Sequence, residues 1–476
     1  MGKGHVALVG AGPGHPGLLT QRAKGLIEQA DVIVYDRLVS PRILLHARPE
    51  ALLVYAGKQA ACHAMPQRDI EATLIELSHR FDLVVRLKGG DPYVFGRGAE
   101  EAEALLRHGV SWEVVPGVTS AVAVPAFAGV PVTIRGVSRS FAVATGHAED
   151  GAIEHAASAK ADTLVLLMGV KELGRIARLL VERGVSPETP GVIVEWGTRS
   201  RQRKAKGRLG ELAEVAKRED IGAPAVIVIG DAVKASGDLA WYETLPRFGD
   251  RVAVVASTKQ EALKAAEELE AQGAEVGLFT WDLGYRVNRW ELTLAVERAV
   301  SGAAVGIAFR TTLAVESWFC ALAERGVDLR RLSQVRFAAL DGYVADAIRR
   351  LGIDPDARTL GEIARQKVDE WWVEEVPDVP AERDVYAACR ASGAEVRTLA
   401  LLERRSLPEA PDAVTPHVRT LADVMREWVN EGAINEVLGY GDVQVLRPLG
   451  LAYGLEQAIR RADRFAREAE RQVCGA

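Results

Sequence analysis

The sequence has few of the features that mark several classes of protein. Its four cysteines are scattered over 476 residues without the spacing of a metal site. Such thiols fit a reducing cytoplasm better than a disulfide framework. No apolar run approaches the roughly 18 residues of a membrane-spanning helix. The N-terminal residues enter a strand-like run directly and lack the apolar core and cleavage site of a signal peptide. We therefore expect a cytoplasmic protein that has no membrane segment and binds no metal.

The sequence also lacks an excess of basic residues. Its formal net charge of −6 argues against general nucleic-acid binding. An anionic substrate would therefore have to be bound by a local basic patch. The content of 48% hydrophobic and 26% charged residues is that of a globular protein with sizeable cores. At about 100–200 residues per domain, the length allows roughly three domains.

Strand-like apolar runs alternate with helical patterns through the first part of the chain, which predicts an α/β lobe with a largely parallel sheet. The runs are Val6–Gly10, Asp31–Tyr35, Leu52–Tyr55, Phe81–Val85 and Trp112–Val115. The loops after parallel strands converge on one edge of such a sheet. From about residue 117 the runs contain more β-branched residues, which predicts a second α/β lobe with a mixed sheet.

A domain of residues 1–245 would thus consist of two lobes, at about 1–116 and 117–245. The segment Tyr242–Asp250 contains proline and glycine and is predicted to be a linker. Residues 251–476 begin a new α/β pattern. They contain Gly-Ala-Glu-Val twice, at 273–276 and 393–396, which suggests two similar α/β halves.

The stretch RLKGGDPYVFGRG, residues 86–98, packs four glycines, an acid, basic groups and two aromatic rings into a short loop after an apolar run. Gly89 and Gly90 permit positive φ and close approach of a ligand to the backbone. Pro92 makes helical geometry at Asp91 unfavourable. The pattern predicts a strand, a glycine loop and a helix start, although Gly-Asp-Pro is also ordinary turn chemistry.

A second glycine loop, GPGHPG at residues 12–17, formally satisfies the dinucleotide-binding pattern, with Asp36 about 20 residues further on. This leaves a NAD-type oxidoreductase as an alternative. Pro13 and Pro16 weaken this alternative, because each removes a backbone N–H that would bind a pyrophosphate. Asp36 itself stands at a strand end, where it could act as a base or cap a helix. Lys58, taken alone, is an ordinary solvated lysine.

Seven motifs follow one another in a fixed order: YDRLVS, VYAGK, RLKGGDPYVFGRG, PGVTSA, TLVLLMGV, VEWGTRSRQR and PAVIVIGD. Over about residues 4–245 this series resembles the uroporphyrinogen-III C-methyltransferases of the tetrapyrrole methylase family. The resemblance implies transfer of two methyl groups from S-adenosylmethionine to uroporphyrinogen III, which gives precorrin-2 for sirohaem and cobalamin synthesis. It also implies two α/β lobes with the methyl donor between them, and a homodimer formed through this half. A methylase of a later precorrin is the alternative within the same class.

The resemblance also assigns roles to individual residues. Asp36 would accept a proton and Lys58 would donate one. The residues implied to line the S-adenosylmethionine site are Pro13, Gly89, Gly90, Asp91, Val94, Thr119, Ser120, Met168, Gly197 and Ala225. The substrate carries eight carboxylates, which need guanidinium or ammonium partners. Candidates are Arg37, Lys58, Arg97, Arg135 and Arg139. Two positions depart from the family pattern, because His15 stands for an aspartate and Ile134 for a histidine.

Residues 251–476 resemble uroporphyrinogen-III synthase, through RVAVV, VGIAFRTTLAVESW, QVRFAALDGYVADAIRRLGI and DVYAACRASGAEV. The resemblance implies a two-lobed α/β region without a cofactor, and it assigns Thr311 and Thr312 to the substrate. Asp341–Val344 lacks the usual Gly-Pro-x-Thr loop. This region is therefore either an active synthase, a degenerate partner that supports or regulates the methylase, or a tetrapyrrole-binding scaffold.

Overall fold

The computed structural model describes residues 4–57, 65–146, 154, 157–158, 160–237, 239–256, 259–280, 285–340, 342–375, 383–404, 408–411, 414–440 and 455. The chain divides into two compact units. The first consists of Met1–Arg251, Glu268–Val276 and Leu407–Arg419, and the second of Val252–Glu267, Gly277–Ser406 and Thr420–Ala476. In the described ranges, no helix has both the length and the apolar character needed to cross a membrane.

The first unit begins with a lobe built on a parallel sheet. Its strands are β1 (His5–Gly10), β2 (Val32–Tyr35), β3 (Leu52–Tyr55), β4 (Leu83–Lys88) and β5 (Ser111–Val115). Its helices are α1 (Gln21–Gln29), α2 (Pro41–Leu44), α3 (Gln67–Ser78) and α4 (Gly98–Arg107). The strand order is β3-β2-β4-β1-β5, with every pair parallel. The predicted parallel lobe is confirmed.

This lobe forms because its strands are continuous apolar runs that are buried on both faces, as is typical of parallel sheets. Helix α3 adds Ile70, Leu74 and Leu77 to the core. In the dinucleotide-binding fold β1 lies beside β2, whereas here β4 lies between them. The lobe therefore does not have the topology that the oxidoreductase alternative requires.

A second lobe completes the first unit. Its strands are β6 (Phe141–Thr145), β7 (Thr163–Leu167), β8 (Pro190–Glu195), β9 (Arg203–Arg208) and β10 (Ala225–Gly230), and its helices are α5 (Ser120–Phe127), α6 (Leu173–Glu182) and α7 (Leu212–Arg218). The order is β6-β7-β10-β8-β9, in which β6 is parallel to β7 and the other pairs are antiparallel. The predicted mixed sheet is confirmed.

The predicted linker at Tyr242–Asp250 directly precedes Arg251, where the main part of the first unit ends, and it is packed rather than extended. Residues Tyr242–Thr244 form a 3-10 turn, and Tyr242 is buried. Its ring lies 4.8 Å from that of Phe127 and 5.4 Å from that of Phe248. The aromatic residues therefore fasten the segment to the second lobe, although its proline and glycine suggested a connection without packing.

The remaining elements belong mainly to the second unit. Its strands are β11 (Arg251–Ala256), β12 (Glu275–Thr280), β13 (Tyr285–Val287), β14 (Val305–Phe309), β15 (Arg336–Ala339), β16 (Glu370–Glu374), β17 (Glu395–Leu399), β18 (Leu402–Arg404) and β20 (Glu436–Tyr440). Its helices are α8 (Lys259–Ala271), α9 (Arg289–Val300), α10 (Thr312–Glu324), α11 (Gly342–Arg350), α12 (Leu360–Ile363), α13 (Arg383–Ala391) and α14 (Leu421–Asn430). One further strand, β19 (Val418–Arg419), pairs antiparallel with β3 in the first unit.

Two main sheets lie in this part of the chain. One has the order β12-β11-β20 and the other β15-β14-β16-β17, and the two-stranded ribbon β13-β18 is separate from both. The Gly-Ala-Glu-Val copies each lead into a strand, β12 and β17. The helix expected from the sequence at 454–471 lies outside the described residues.

Candidate active site

Three strands of the first lobe end in backbone segments that touch each other. Gly12 and Gly90 exchange two backbone hydrogen bonds, of 3.1 and 2.7 Å. A Cβ on Gly10 would lie 2.4 Å from the backbone nitrogen of Gly117, and a Cβ on Gly117 would lie 2.2 Å from the carbonyl oxygen of Gly90. The loops after β1, β4 and β5 can therefore meet only because these positions are glycine.

Asp91 holds the loop after β4 in place. Its Oδ2 accepts a hydrogen bond from the Gly117 backbone N–H at 3.1 Å, and its Oδ1 accepts one from the Tyr93 N–H at 2.8 Å. Phe95 and Arg97 follow with positive φ, of 53° and 58°. Non-glycine residues in this conformation are strained and are often found at functional sites.

The second lobe contributes the ends of three strands. Met168, Trp196 and Thr198 adopt positive φ, of 56°, 48° and 69°. A Cβ on Gly197 would lie 2.3 Å from a methyl carbon of Val124 in α5. Ala225 begins β10 and is the register partner of the last residue of β8. The predicted donor-site residues of the second lobe therefore lie at one end of its sheet.

Direct contacts join the loops of the two lobes. The backbone N–H of His15 donates a hydrogen bond to Oγ1 of Thr198 at 3.3 Å. Val94 packs against the apolar core of the second lobe. Burial lowers the pKa of His15, whose ring lies 5.5 Å from that of Phe127. Nδ1 of His15 also accepts a hydrogen bond from the Gly17 N–H at 3.1 Å, so this residue packs against the second lobe and caps a turn at the place where the family has an aspartate.

All ten predicted donor-site residues are described, and all lie on these strand ends or at the start of α5. Eight of them are partly buried, as expected for the wall of a cleft: Pro13, Gly89, Gly90, Asp91, Val94, Thr119, Ser120 and Ala225. Oγ1 of Thr119 accepts a hydrogen bond from the Ala121 N–H at 3.3 Å and caps α5. Their contacts with a methyl donor stay predictions.

Asp36 stands directly after β2. Its Oδ1 accepts a hydrogen bond from the Leu38 N–H at 3.1 Å, and its Oδ2 lies 3.6 Å from Nη2 of Arg86. The side chain is 30% exposed, so part of the carboxylate can reach a ligand. Lys58, its predicted partner, lies outside the described residues.

A buried charge cluster that the sequence did not reveal supports Asp36. Glu101 in α4 has no exposed surface, and its Oε1 lies 3.2 Å from Nε of Arg86 and 2.7 Å from Nζ of Lys88. Burial, followed by repulsion from Arg86, lowers the pKa of Lys88. Two cations face one buried carboxylate, and Asp36 is the second negative group beside them. Strand β4 was expected to end at Val85; it continues to Lys88 because Glu101 compensates the two charges.

The predicted substrate-binding arginines of this unit are all exposed. They are Arg37, Arg97, Arg135 and Arg139. Arg97 donates two hydrogen bonds to Glu100, of 2.9 and 2.6 Å, which raises the pKa of its guanidinium. The backbone N–H of Arg139 donates to Asp162 at 2.8 Å and leaves its side chain outside that contact.

Known proteins resemble this chain closely. Residues 5–213 match the family of tetrapyrrole (corrin/porphyrin) methylases. A Bacillus subtilis protein named uroporphyrinogen-III C-methyltransferase is 38% identical over 368 residues, which is 75% of this chain and 74% of that protein. The chain belongs to the tetrapyrrole methylase family.

Other relatives match the methylase over a shorter span. The uroporphyrinogen-III C-methyltransferase of Priestia megaterium is 45% identical over 237 residues, which is 49% of this chain and all of that protein. The siroheme synthase of Chromobacterium violaceum is 45% identical over 242 residues, which is 50% of this chain and 52% of that protein. A solved structure of uroporphyrin-III C-methyl transferase from Thermus thermophilus, complexed with S-adenyl homocysteine, is 43% identical with a TM-score of 0.43. It matches 48% of this chain and 99% of its own.

The predicted substrate residues of the C-terminal half differ in exposure from the arginines of the first unit. Thr311 is 1% exposed, and its hydroxyl donates to Glu374 at 2.7 Å while accepting from the Ala314 N–H at 3.1 Å. Glu374 is fully buried, which raises its pKa, and it also accepts the Thr311 N–H. Oγ1 of Thr312 is buried and has no hydrogen-bond partner among the described residues. The geometry favours a structural role for Thr311.

Proposed function

We propose that this protein transfers two methyl groups from S-adenosylmethionine to uroporphyrinogen III and forms precorrin-2. The observation that carries the proposal is the convergence of the glycine loops with Asp36. It occurs in a chain that is 38–45% identical to enzymes named uroporphyrinogen-III C-methyltransferase.

The donor-site residues suit S-adenosylmethionine. The positions that only glycine can occupy bring bare backbone to the surface of the site, and the ten residues offer backbone, hydroxyl and apolar groups. Bound there, the donor supplies a methyl group that is already electrophilic, so the protein mainly has to align the reactants. Thr119 caps α5, and Met168 and Trp196 hold positive φ, a conformation that persists only where the surroundings impose it.

Asp36 is the group best placed to handle protons. Each methylated ring carries a positive charge, which a nearby carboxylate stabilises and then relieves by accepting a proton. The Leu38 N–H and Arg86 hold its two oxygens at fixed positions, while its partial exposure leaves it accessible. Arg37, Arg97, Arg135 and Arg139 would bind carboxylates of the substrate, with Lys58 as the proton donor.

The C-terminal half is proposed to have a uroporphyrinogen-III synthase-like fold. Its two sheets and the separate β13-β18 ribbon support this proposal. Its activity is an open part of the proposal, because Thr311 already uses its hydroxyl internally. A homodimer formed through the methylase half and a cytoplasmic location also stay predictions.

The test supplies purified protein with S-adenosylmethionine and either preformed uroporphyrinogen III or hydroxymethylbilane, without added synthase. We expect the dimethylated chromophore from uroporphyrinogen III. If the bilane yields it too, with only the type III isomer formed, both halves are active. Closure of the bilane to the type I isomer would limit activity to the methylase. The absence of methylation from uroporphyrinogen III would overturn the proposal, and turnover of a later precorrin would favour the alternative.

A further inference from the structure

Two segments from the C-terminal half of the sequence lie within the compact unit that contains the candidate active site. They are Glu268–Val276 and Leu407–Arg419. Val414 is fully buried in the core of the first lobe, and β19 extends its sheet beside β3. The Priestia relative, which half of this chain covers completely, shows that proteins of this family exist without such a half.

Glu275 binds a loop of the donor site. Its carboxylate accepts two hydrogen bonds from Arg199, at 3.0 and 2.6 Å, and both side chains are 10% exposed. A Cβ on Gly14 would lie 3.3 Å from the Cγ of Arg199, so the aliphatic part of Arg199 packs against the loop after β1. The Glu275–Arg199 pair thus adjoins loops from both lobes at the donor site.

The loop that Arg199 follows needs such support. Trp196 and Thr198 on either side of Gly197 have positive φ, a conformation that persists only where the surroundings impose it. The Trp196 N–H donates to the Pro224 carbonyl at 3.0 Å, and the Thr198 N–H donates to Gln202 at 2.9 Å. The bidentate pair with Glu275 is a further restraint, and it comes from the C-terminal half of the sequence.

Glu270 makes a similar contact near the other functional group. Its Oε1 lies 2.8 Å from Nε of Arg42, and the two side chains are 9% and 7% exposed. Arg42 lies in the four-residue helix α2, which starts five residues after Asp36. The Val39 N–H donates to the Asp36 carbonyl and the Ile43 N–H to the Ser40 carbonyl, so a continuous set of turns joins Asp36 to Arg42.

We propose that Glu275 and Glu270 are positioning residues of the methylase, supplied by the C-terminal half of the sequence. Glu275 acts through Arg199 on the methyl-donor loop, and Glu270 acts through Arg42 on the segment that carries Asp36. The segment Glu268–Val276 therefore completes the methylase, whether or not the rest of the C-terminal half has an activity of its own. This inference rests on the proposed methylation of uroporphyrinogen III.

The test compares E275Q and E270Q in the full chain, because each change removes a charge and keeps the side-chain shape. For E275Q we expect the dissociation constant of S-adenosylhomocysteine to rise about tenfold and kcat at saturating donor to change less than about threefold. For E270Q we expect kcat to fall about tenfold with S-adenosylhomocysteine affinity within about twofold of wild type. Calorimetry gives the affinity, and the chromophore assay gives kcat.

The matched control is E188Q, which removes the carboxylate of an exposed pair with Arg208 in the same unit and should change both values less than about twofold. The inference would be overturned if E275Q, E270Q and E188Q had equal dissociation constants and equal kcat values. It would also be overturned if E275Q and E270Q lowered the melting temperature but did not affect affinity and kcat separately. If E275Q or E270Q does not fold, E275D or E270D takes its place and must show the same split. A wild-type protein that neither binds S-adenosylhomocysteine nor methylates would instead refute the proposed function.

Discussion

Each half of the chain places a carboxylate at the end of a parallel strand, and the two are used differently. Asp36 follows β2, is 30% exposed and has an arginine and a backbone N–H as neighbours. Glu374 ends β16, has no exposed surface and accepts the hydroxyl of Thr311 and the N–H groups of Arg310 and Thr311. A strand end in an α/β fold is a common place for chemistry. The two carboxylates therefore differ in accessibility, and this difference is the reason why the role of proton acceptor is proposed for Asp36 and not for Glu374.

The largest effect is expected for Asp36→Asn. It removes the proposed proton acceptor and should lower kcat by about 10²–10⁴-fold, because that is the usual range for a general base. S-adenosylhomocysteine binding should stay at the wild-type level, since the role proposed for Asp36 is towards the substrate and not towards the methyl donor. The measurement is single-turnover methylation together with calorimetry. Asp231→Asn is the control, because Asp231 is 59% exposed and pairs only locally with Lys234. Full activity of D36N would mean that Asp36 is structural, like Glu374, and that the two carboxylates do not differ in role.

The next largest effect concerns the buried group behind Asp36. Glu101→Gln should lower the free energy of unfolding by about 3–5 kcal/mol, because Arg86 and Lys88 lose their buried counter-charge. Denaturant unfolding measures the loss. Glu76→Gln, which removes an exposed pair with Arg80, should change it by less than about 0.5 kcal/mol. An unchanged stability of E101Q would mean that the two cations do not depend on Glu101.

The glycine contacts give a third test. Gly117→Ala places a methyl group 2.2 Å from the carbonyl oxygen of Gly90, which is backbone and cannot rotate away. We expect a loss of about 1–3 kcal/mol in stability and weaker S-adenosylhomocysteine binding. Gly25→Ala in α1 is the control, because no atom lies within 4 Å of the added carbon. It should be neutral or stabilise by up to about 1 kcal/mol. If G117A bound S-adenosylhomocysteine as tightly as wild type, the close glycine contacts would not be needed for donor binding.

The fourth test concerns the contact between Thr311 and Glu374 in the C-terminal half. Thr311→Val should lower the stability of this half by about 1–3 kcal/mol, because Glu374 loses a hydrogen bond in a buried place. The rate of methylation from preformed uroporphyrinogen III should not change. Thr359→Val is a matched control, since Thr359 caps α12 with an exposed side chain and has no buried carboxylate as partner. It should lose only the contribution of the cap, about 1 kcal/mol. Loss of type III isomer formation from the bilane by T311V, without loss of stability, would instead place Thr311 in a substrate site.

Much of the fold was predictable because buried parallel strands are continuous apolar runs. Leu52–Tyr55 has the bounds that its sequence pattern predicted. The end of β4 was missed, since Arg86 and Lys88 are tolerated in a buried strand only through Glu101. This residue is 15 positions from Arg86 and 13 from Lys88 along the chain. The role of Thr311 was equally hidden, because sequence spacing does not show which acceptor a hydroxyl faces.

The recruitment of Glu270 and Glu275 into the first unit could not be predicted from local pattern at all. Glu275 stands in a repeated Gly-Ala-Glu-Val, and the second copy places Glu395 on β17 with an exposed side chain. The same four residues therefore have different environments. The ion pairs of Glu275 with Arg199 and Arg251 distinguish them, and the contact with Arg199 joins residues 76 positions apart.

The smallest effect is expected from pH. Burial acts to raise the pKa of Glu275, but Arg199, Arg251 and Arg201 outweigh it and leave the pKa below its ordinary value of 4.5. A carboxylate whose pKa is lower in the folded state contributes stability above its unfolded pKa and loses it as pH falls towards the folded pKa. The difference in melting temperature between wild type and E275Q should therefore be constant from pH 7 to about 5 and shrink below about 4.5. Glu395→Gln, on the exposed copy of the repeat, should show little difference at either pH. A difference between wild type and E275Q that persists unchanged to pH 3 would mean that the charge of Glu275 does not stabilise the unit, and that its contact with Arg199 depends on shape alone.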